Sequence, residues 1–216
     1  MTTLQLFLSE LIIWLELLAA LVGLFYFKQL KKTYWVHFII YLVIIFVLEA
    51  VSKWFLINHL HFKRYYYDLF VIPFQFLFLF WLYGIKSFQN IRIFKICCFV
   101  YGIFFGLHLF NFEFIRMISS MSYTIGVLII AILVYLEFLK QIKSDEILNY
   151  SQNKMFYINI GVLLFYVGTL PFFVFDKYLF ENDRFTWNNY LTFFLISANV
   201  LYLFFTASFL WGKSKP

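Results

Sequence analysis

Seven long apolar runs divide this chain, and each is about as long as a helix must be to cross a lipid bilayer. A spanning helix needs roughly 20 mostly apolar residues. The runs lack the polar–apolar alternation that marks the strands of a membrane barrel. They cover residues 5–27, 34–58, 66–85, 93–112, 118–139, 155–175 and 188–211. The sequence therefore predicts an all-α polytopic membrane protein with seven transmembrane helices.

The composition agrees with a membrane protein of one domain. The 216 residues are 64% hydrophobic and 13% charged, whereas soluble domains are about 45–50% apolar and about 25% charged. The runs use nearly the whole chain, so we expect a single seven-helix domain over residues 1–216. The formal charge of +6 is spread over short connections. A nucleic-acid partner requires basic residues grouped on one face, and we predict none.

Basic residues predict the orientation of the chain in the membrane. Eleven of the 17 Lys and Arg residues fall on the side where the first, third, fifth and last connecting segments lie. They are Lys28, Lys31, Lys32, Lys86, Arg92, Lys95, Lys140, Lys143, Lys154, Lys213 and Lys215. Because basic residues are enriched on the cytoplasmic side, the N-terminus is predicted outside and the C-terminus inside.

The second run contains two charges, Glu49 and Lys53, one helical turn apart. A charge at the centre of a bilayer costs roughly 2.5–3.5 kcal/mol on insertion scales. Glu and Lys in this order at i and i+4 attract each other on a helix. They form either a self-neutralising structural pair or part of a binding pocket, and the sequence leaves both open.

The first run contains Glu16, well below its outer end and without a basic neighbour on its own helix. This carboxyl group either holds a proton or pairs with a cation on another helix, for which Lys53 is the candidate. Ionisable groups concentrate in the predicted outer half of the spans, and the inner half is expected to be almost uncharged. We therefore predict a pocket that opens outward. Its ligand-binding residues are Glu49, Lys53, Glu16, Gln75, Asp68, His108 and Asn199.

Few residues are suited to catalysis. The chain has no GxSxG, HExxH or phosphate-binding glycine motif. The histidines His59, His61 and His108, with the carboxylates Asp68 and Glu113, suit zinc, which makes an intramembrane metal-dependent hydrolase one alternative. Seven-helix hydrolases of the ceramidase and adiponectin-receptor type have paired histidines on the last helix, and this chain lacks them. The last run also lacks the lysine that holds retinal in opsins. We predict no catalytic residues, no metal site and no cofactor.

Three segments carry a resemblance to known membrane proteins. LEAVSKW, YYYDLFVIPFQFLFLFWLY and FYINIGVLLFYVGTLPFF resemble small uncharacterised bacterial seven-helix membrane proteins. They are distantly similar to the seven-helix sensor region of membrane histidine kinases. In that region an acidic residue of helix two precedes a helix three with proline, aromatics, leucine and tyrosine, and Glu49, Pro73, Leu82 and Tyr83 fill those places. The resemblance implies the bacterial inner (plasma) membrane and a separate signalling partner, since a kinase portion is absent.

Two further functions follow from these patterns. The preferred one is a sensory or accessory signalling module that binds a small or amphipathic ligand in the outward-facing pocket. Its partner protein contacts the polar connection from Lys140 to Lys154. The alternative is a small-solute transporter of three-plus-one-plus-three helix plan, indicated by the similar sequences KQLK at 28–31 and KQIK at 140–143.

Overall fold

The computed structural model describes residues 2–54, 59–110, 115–144 and 146–212, and the regular elements in these ranges are helical. Seven long helices follow one another: α1 (Thr3–Phe25), α2 (Trp35–Trp54), α3 (60–87), α4 (Ile91–Phe110), α5 (Ile115–Lys143), α6 (154–182) and α7 (Arg184–Leu210). Two short helices, Phe27–Leu30 and Glu146–Gln152, lie in the connections. The prediction of an all-α fold is confirmed.

Six of the seven long helices are long and apolar enough to cross a membrane, namely α1, α2, α3, α5, α6 and α7. The predicted fourth span, 93–112, falls mainly on α4, which is not among the six, and residues 111–112 lie outside the described residues. Large apolar side chains cover the outside of the bundle. Phe25 is 80% exposed and Phe99 is 70% exposed. Such a surface indicates a lipid environment, whereas seven spans and an outside N-terminus stay predictions.

Local sequence explains where the first and last helices begin. At the start of α1, the Thr2 hydroxyl accepts a hydrogen bond from the backbone N–H of Gln5 (3.2 Å), and the Gln5 side chain accepts one from the backbone N–H of Thr2 (2.9 Å). This reciprocal capping satisfies two donors that a helix otherwise leaves free. At the start of α7, the Asp183 carboxylate accepts from the backbone N–H of Thr186 (3.0 Å).

Two helices contain wider π turns next to a proline. In α3 the α-helical segments Leu60–Tyr66 and Ile72–Trp81 alternate with the π turns Tyr67–Val71 and Leu82–Ser87; in α6 the π turn Leu163–Val167 separates Lys154–Val162 from Gly168–Asn182. A proline clashes with the carbonyl four residues earlier in a regular helix. For Pro73 and Pro171 those carbonyls, on Leu69 and Val167, belong to a π turn. The wider turns therefore accommodate both prolines.

The core is aromatic and fixes the position of α3. The Phe76 ring lies 5.3 Å from the ring of Tyr101, 5.6 Å from that of Tyr123 and 5.7 Å from that of Tyr166. A Cβ atom on Gly126 of α5 would come within 2.6 Å of the Phe76 ring. Small residues allow such close helix approach in membranes, where packing replaces the hydrophobic effect. On the other side of the bundle, α7 packs against both α1 and α6.

Candidate functional site

Polar side chains form two groups in the helical bundle. The acidic cluster runs inward from the end where α1 begins and α2 ends; it consists of Glu10, Glu16, Glu49, Lys53, Tyr67 and Tyr202. The Glu137 cluster lies at the opposite end, where α3 and α5 end; it consists of Ser87, Glu137, Lys140 and Gln141. The sequence predicted part of the first group and missed the second.

The cation of the acidic cluster is taken up by an unexpected partner. Lys53, in the last turn of α2, forms an ion pair with Glu10 of α1. Lys53 therefore pairs neither with Glu49 of its own helix nor with Glu16, the two partners that the sequence suggested. The two side chains are 29% and 61% exposed, and ion pairs this exposed contribute only about 0–1 kcal/mol. The contact adds little to stability, but it places the Lys53 ammonium at Glu10 and not at the deeper carboxyl groups of Glu16 and Glu49.

Glu49 lies one turn deeper than Lys53 and is held by α3. The Tyr67 hydroxyl donates a hydrogen bond to the Glu49 carboxylate. The neighbouring Tyr66 donates to the backbone carbonyl of Leu48 at 3.0 Å. Both tyrosines lie at the junction of the first π turn of α3, and π turns are frequent at functional sites. Two consecutive tyrosines thus attach α3 to α2 at this carboxylate.

Glu16 is the deepest member of the acidic cluster. It is 2% exposed, and its Oε2 atom has no hydrogen-bond partner among the described residues. The Tyr202 hydroxyl of α7 faces the carboxyl group, and Glu49 lies near enough for the two carboxylates to repel each other. A buried polar atom without a partner costs free energy. Two carboxyl groups that share a low-dielectric site therefore attract a proton or another cation.

Two other predicted residues join helices to each other. Gln75 accepts a hydrogen bond from the Tyr166 hydroxyl of α6 at 2.9 Å. Asn199 donates through Nδ2 to the carbonyl of Leu195 at 2.7 Å and to that of Leu8 in α1 at 3.1 Å. These contacts link α3 to α6 and α1 to α7, which is the usual role of amide side chains between membrane helices.

The remaining predicted residues are Asp68 and His108. Asp68 lies near Tyr101 of α4. His108 belongs to α4, but its side chain lies outside the described part of the chain, as does that of His61. The described residues contain no group of three or more His, Cys, Asp or Glu side chains that could hold a metal ion.

The Glu137 cluster corrects the expectation that the inner half of the spans is almost uncharged. Glu137 of α5 is 1% exposed. It accepts hydrogen bonds from the Ser87 hydroxyl and from the Gln141 side chain (3.2 Å). Lys140 lies 3.8 Å from the carboxylate and donates to the Ser87 carbonyl at 2.8 Å. The sequence signal that could have revealed this cluster was Glu137 near the inner end of the predicted span 118–139, followed one helical turn later by Gln141.

The tyrosine donors Tyr67 and Tyr202 were also missed. Tyrosine is abundant in this chain, with 16 residues, and most of them fit aromatic belts or the core equally well. Their role at Glu49 and Glu16 depends on which helices are neighbours. A search of protein-family models, of curated proteins and of solved structures finds no match to this chain.

Proposed function

We propose that this protein is an integral membrane sensory or accessory signalling module. It binds a small or amphipathic ligand with a cationic group at Glu16 and Glu49, and it acts through a partner protein. In this proposal the chain has seven spans, with the N-terminus outside and the C-terminus inside, in the bacterial inner membrane. The ligand enters from the outer side.

The observation that carries the proposal is the unpartnered Oε2 atom of Glu16 beside a second carboxyl group. Among the described residues, six buried side-chain polar atoms have no hydrogen-bond partner, and the Glu16 Oε2 atom is the one that belongs to a carboxyl group. A buried carboxyl oxygen without a donor requires an explanation. A protonated amine supplies both the missing hydrogen-bond donor and the positive charge. Intramembrane carboxyl groups commonly serve such binding or proton-transfer roles.

The position of Lys53 supports a site that is open to an added cation. Its ammonium group contacts Glu10 at the end of the bundle. Glu49 is held by the neutral Tyr67 hydroxyl, and Lys63 of α3 attracts its carboxylate from a distance. Among the described residues, neither Glu16 nor Glu49 forms an ion pair with a lysine. The distribution of basic residues, eleven against six, supports placing this end of the bundle outside.

The connection from Lys140 to Lys154 supports the partner half of the proposal. Part of it forms the short helix Glu146–Gln152, on which Leu148 is 76% exposed and Tyr150 is 52% exposed. These two side chains offer apolar contacts to a protein partner within an otherwise polar connection.

The alternatives receive less support. In a transporter of three-plus-one-plus-three plan, α1, α2 and α3 correspond to α5, α6 and α7. An interruption in α3 should then recur in α7, and one in α6 should recur in α2. The π turns instead occupy α3 and α6. For the metal-dependent hydrolase, the described residues offer no metal-binding group, and the side chains of the candidates His61 and His108 lie outside the described part of the chain.

Thermal unfolding of the detergent-solubilised full chain tests ligand binding. Hexylamine is the probe, and hexanol is its uncharged counterpart. We expect hexylamine to raise the Tm of the native chain more than hexanol does, because binding to the folded state stabilises it. Glu49→Gln should abolish this difference, whereas Glu181→Gln, an exposed carboxylate at the same end, should preserve it.

Two results would contradict the proposal. Equal Tm shifts by hexylamine and hexanol in the native chain would mean that the carboxyl groups bind no cation. An unchanged difference in Glu49→Gln would place binding elsewhere. A saturable flux of hexyltrimethylammonium across proteoliposomes would favour the transporter over the signalling module.

A further inference from the structure

A groove lies at the end of the bundle opposite the acidic cluster, between the α3–α4 turn and the end of α5. Its volume is about 730 Å³. The lining residues are Ser87, Phe88, Gln89, Asn90, Ile93, Leu136, Leu139, Lys140, Lys143 and Ser144. The proposed ligand site does not include it.

The groove has an apolar wall and a polar rim. Phe88, Ile93, Leu136 and Leu139 form the wall, and Leu136 is 38% exposed on the membrane-facing length of α5. The rim carries two lysines from the last turns of α5. A lining of this kind, at the end of a spanning helix, matches a molecule with an anionic head and an apolar body.

One lysine of the rim is held in place. Lys140 donates to the carbonyl and to the hydroxyl of Ser87, at 2.8 and 2.9 Å. An ammonium group has three donors; two go to Ser87, and the Glu137 carboxylate, at 3.8 Å, is beyond hydrogen-bond distance of the third. Because Lys140 is already ordered, binding an anion there costs less conformational entropy.

The second lysine of the rim is available. Lys143 is exposed and forms no ion pair or hydrogen bond within the described part of the chain. The nearby acid, Glu137, is buried, and both of its oxygens already accept hydrogen bonds, from Ser87 and Gln141. Among the described side chains, the rim therefore has two lysines and one carboxylate, Glu137, which is ion-paired with Lys140.

The turn that closes the groove has an unusual backbone. Gln89 has a φ of 53°, and it is the one non-glycine residue with positive φ in the described ranges. This left-handed conformation is uncommon for such a residue. Asn90 follows and caps α4 by accepting from the backbone N–H of Arg92 at 2.9 Å. Gln89 and Asn90 of this capped turn both line the groove.

We infer that this groove binds an anionic phospholipid. The phosphate lies between Lys140 and Lys143, and an acyl chain follows Leu136, Leu139 and Ile93 along the bundle. An acidic segment of a protein partner would also match the lysines, but it would leave the apolar wall uncovered. The wall continues the membrane-facing surface of α5, which favours a lipid.

Native mass spectrometry of the full chain in detergent tests this inference with dioleoyl phosphatidylglycerol and dioleoyl phosphatidylcholine. We expect tighter binding of the phosphatidylglycerol. Lys143→Gln should weaken it about fivefold, which corresponds to about 1 kcal/mol, and should leave phosphatidylcholine binding unchanged. Lys32→Gln is the matched control, since Lys32 is an exposed lysine at the same end but outside the groove.

Three results would overturn the inference. The first is equal affinity for the two lipids. The second is an equal loss of phosphatidylglycerol binding in Lys143→Gln and Lys32→Gln, which would reflect the general charge of this end. The third is binding of glycerol 3-phosphate or of a poly-glutamate peptide as tightly as the lipid, which would assign the groove to a soluble anion or to an acidic partner.

Discussion

Two buried carboxyl groups, Glu16 and Glu137, are almost equally inaccessible, at 2% and 1% exposure, yet their surroundings differ. Glu137 receives one hydrogen bond on each oxygen and has Lys140 at 3.8 Å. Glu16 faces a tyrosine, has a second carboxyl group nearby and has one oxygen without a partner among the described residues.

The difference separates a structural carboxylate from a candidate binding group. Both oxygens of Glu137 accept hydrogen bonds that join its helix to α3 and to the next turn of α5, so removing this carboxylate is costly. An unsatisfied group already carries an energetic cost that a ligand can remove. The exposed fraction alone does not distinguish Glu16 from Glu137; their hydrogen-bond partners do.

The largest effect is expected for Glu137→Ala. The change leaves Ser87 and Gln141 without their acceptor, and hydrogen bonds to a charged group contribute roughly 1.5–3 kcal/mol each. We expect the free energy of unfolding to fall by at least about 3 kcal/mol, as measured by reversible unfolding in mixed micelles. Glu10→Ala, at an exposed ion pair, should change it by less than about 1 kcal/mol. Similar losses in the two variants would contradict the distinction.

Tyr67→Phe has a smaller expected effect and tests the link between α3 and α2. It removes the donor to Glu49 without changing the ring. The loss of one hydrogen bond should lower the free energy of unfolding by about 1–2 kcal/mol in the same assay. Tyr65→Phe is the control, because Tyr65 is 52% exposed. If both variants unfold like the native chain, Glu49 is not held by α3.

Glu10→Gln should act on ligand binding more than on stability. It releases Lys53 from its ion pair, and the freed ammonium can then reach Glu49 one turn away. This internal cation competes with the ligand. We expect the extra Tm shift given by hexylamine over hexanol to decrease, and Lys53→Gln in the same chain to restore it. A shift that Glu10→Gln leaves unchanged would show that Lys53 does not compete.

The smallest effect is expected for Asp183→Ala at the start of α7. Hydrogen bonds from the Thr186 hydroxyl and backbone N–H hold the pKa of Asp183 below its ordinary value. A carboxylate whose pKa is lowered by folding stabilises the fold above its unfolded-state pKa, and this contribution is lost as the pH falls through the lowered value. The variant should therefore have a slightly lower Tm at neutral pH and match the native chain in acid. A Tm difference independent of pH would contradict this.

Apolar length predicted the helices well, because a spanning helix needs a long run whatever its neighbours are. The fold class and the positions of the seven long helices follow from the runs. The ends of the helices could not be predicted in the same way, because α5 extends from Ile115 to Lys143, beyond the predicted 118–139. Charged turns continue a helix past the apolar run, and hydropathy does not detect them. The π turns beside Pro73 and Pro171 were also not predicted, although the prolines indicated irregularity.

The site was predicted only in part, because neighbours across helices cannot be read from one run. Spacing along α2 favoured Lys53 with Glu49, but Glu10 of α1 is the partner that the structure shows. The expectation of a nearly uncharged inner half overlooked Glu137, although this residue lies inside the predicted span 118–139. Its burial depends on Ser87, which is 50 residues away in sequence.

The contrast between the two carboxyl groups is tested most directly by measuring the free energy of unfolding of Glu16→Gln and Glu137→Gln side by side at neutral pH. The amide removes the charge of Glu16 beside Glu49, so we expect that variant to be as stable as the native chain or more stable. In Glu137→Gln the amide loses one of the two acceptor oxygens and the attraction of Lys140, so we expect a loss of about 1–3 kcal/mol. A loss of equal size in both variants would contradict the account.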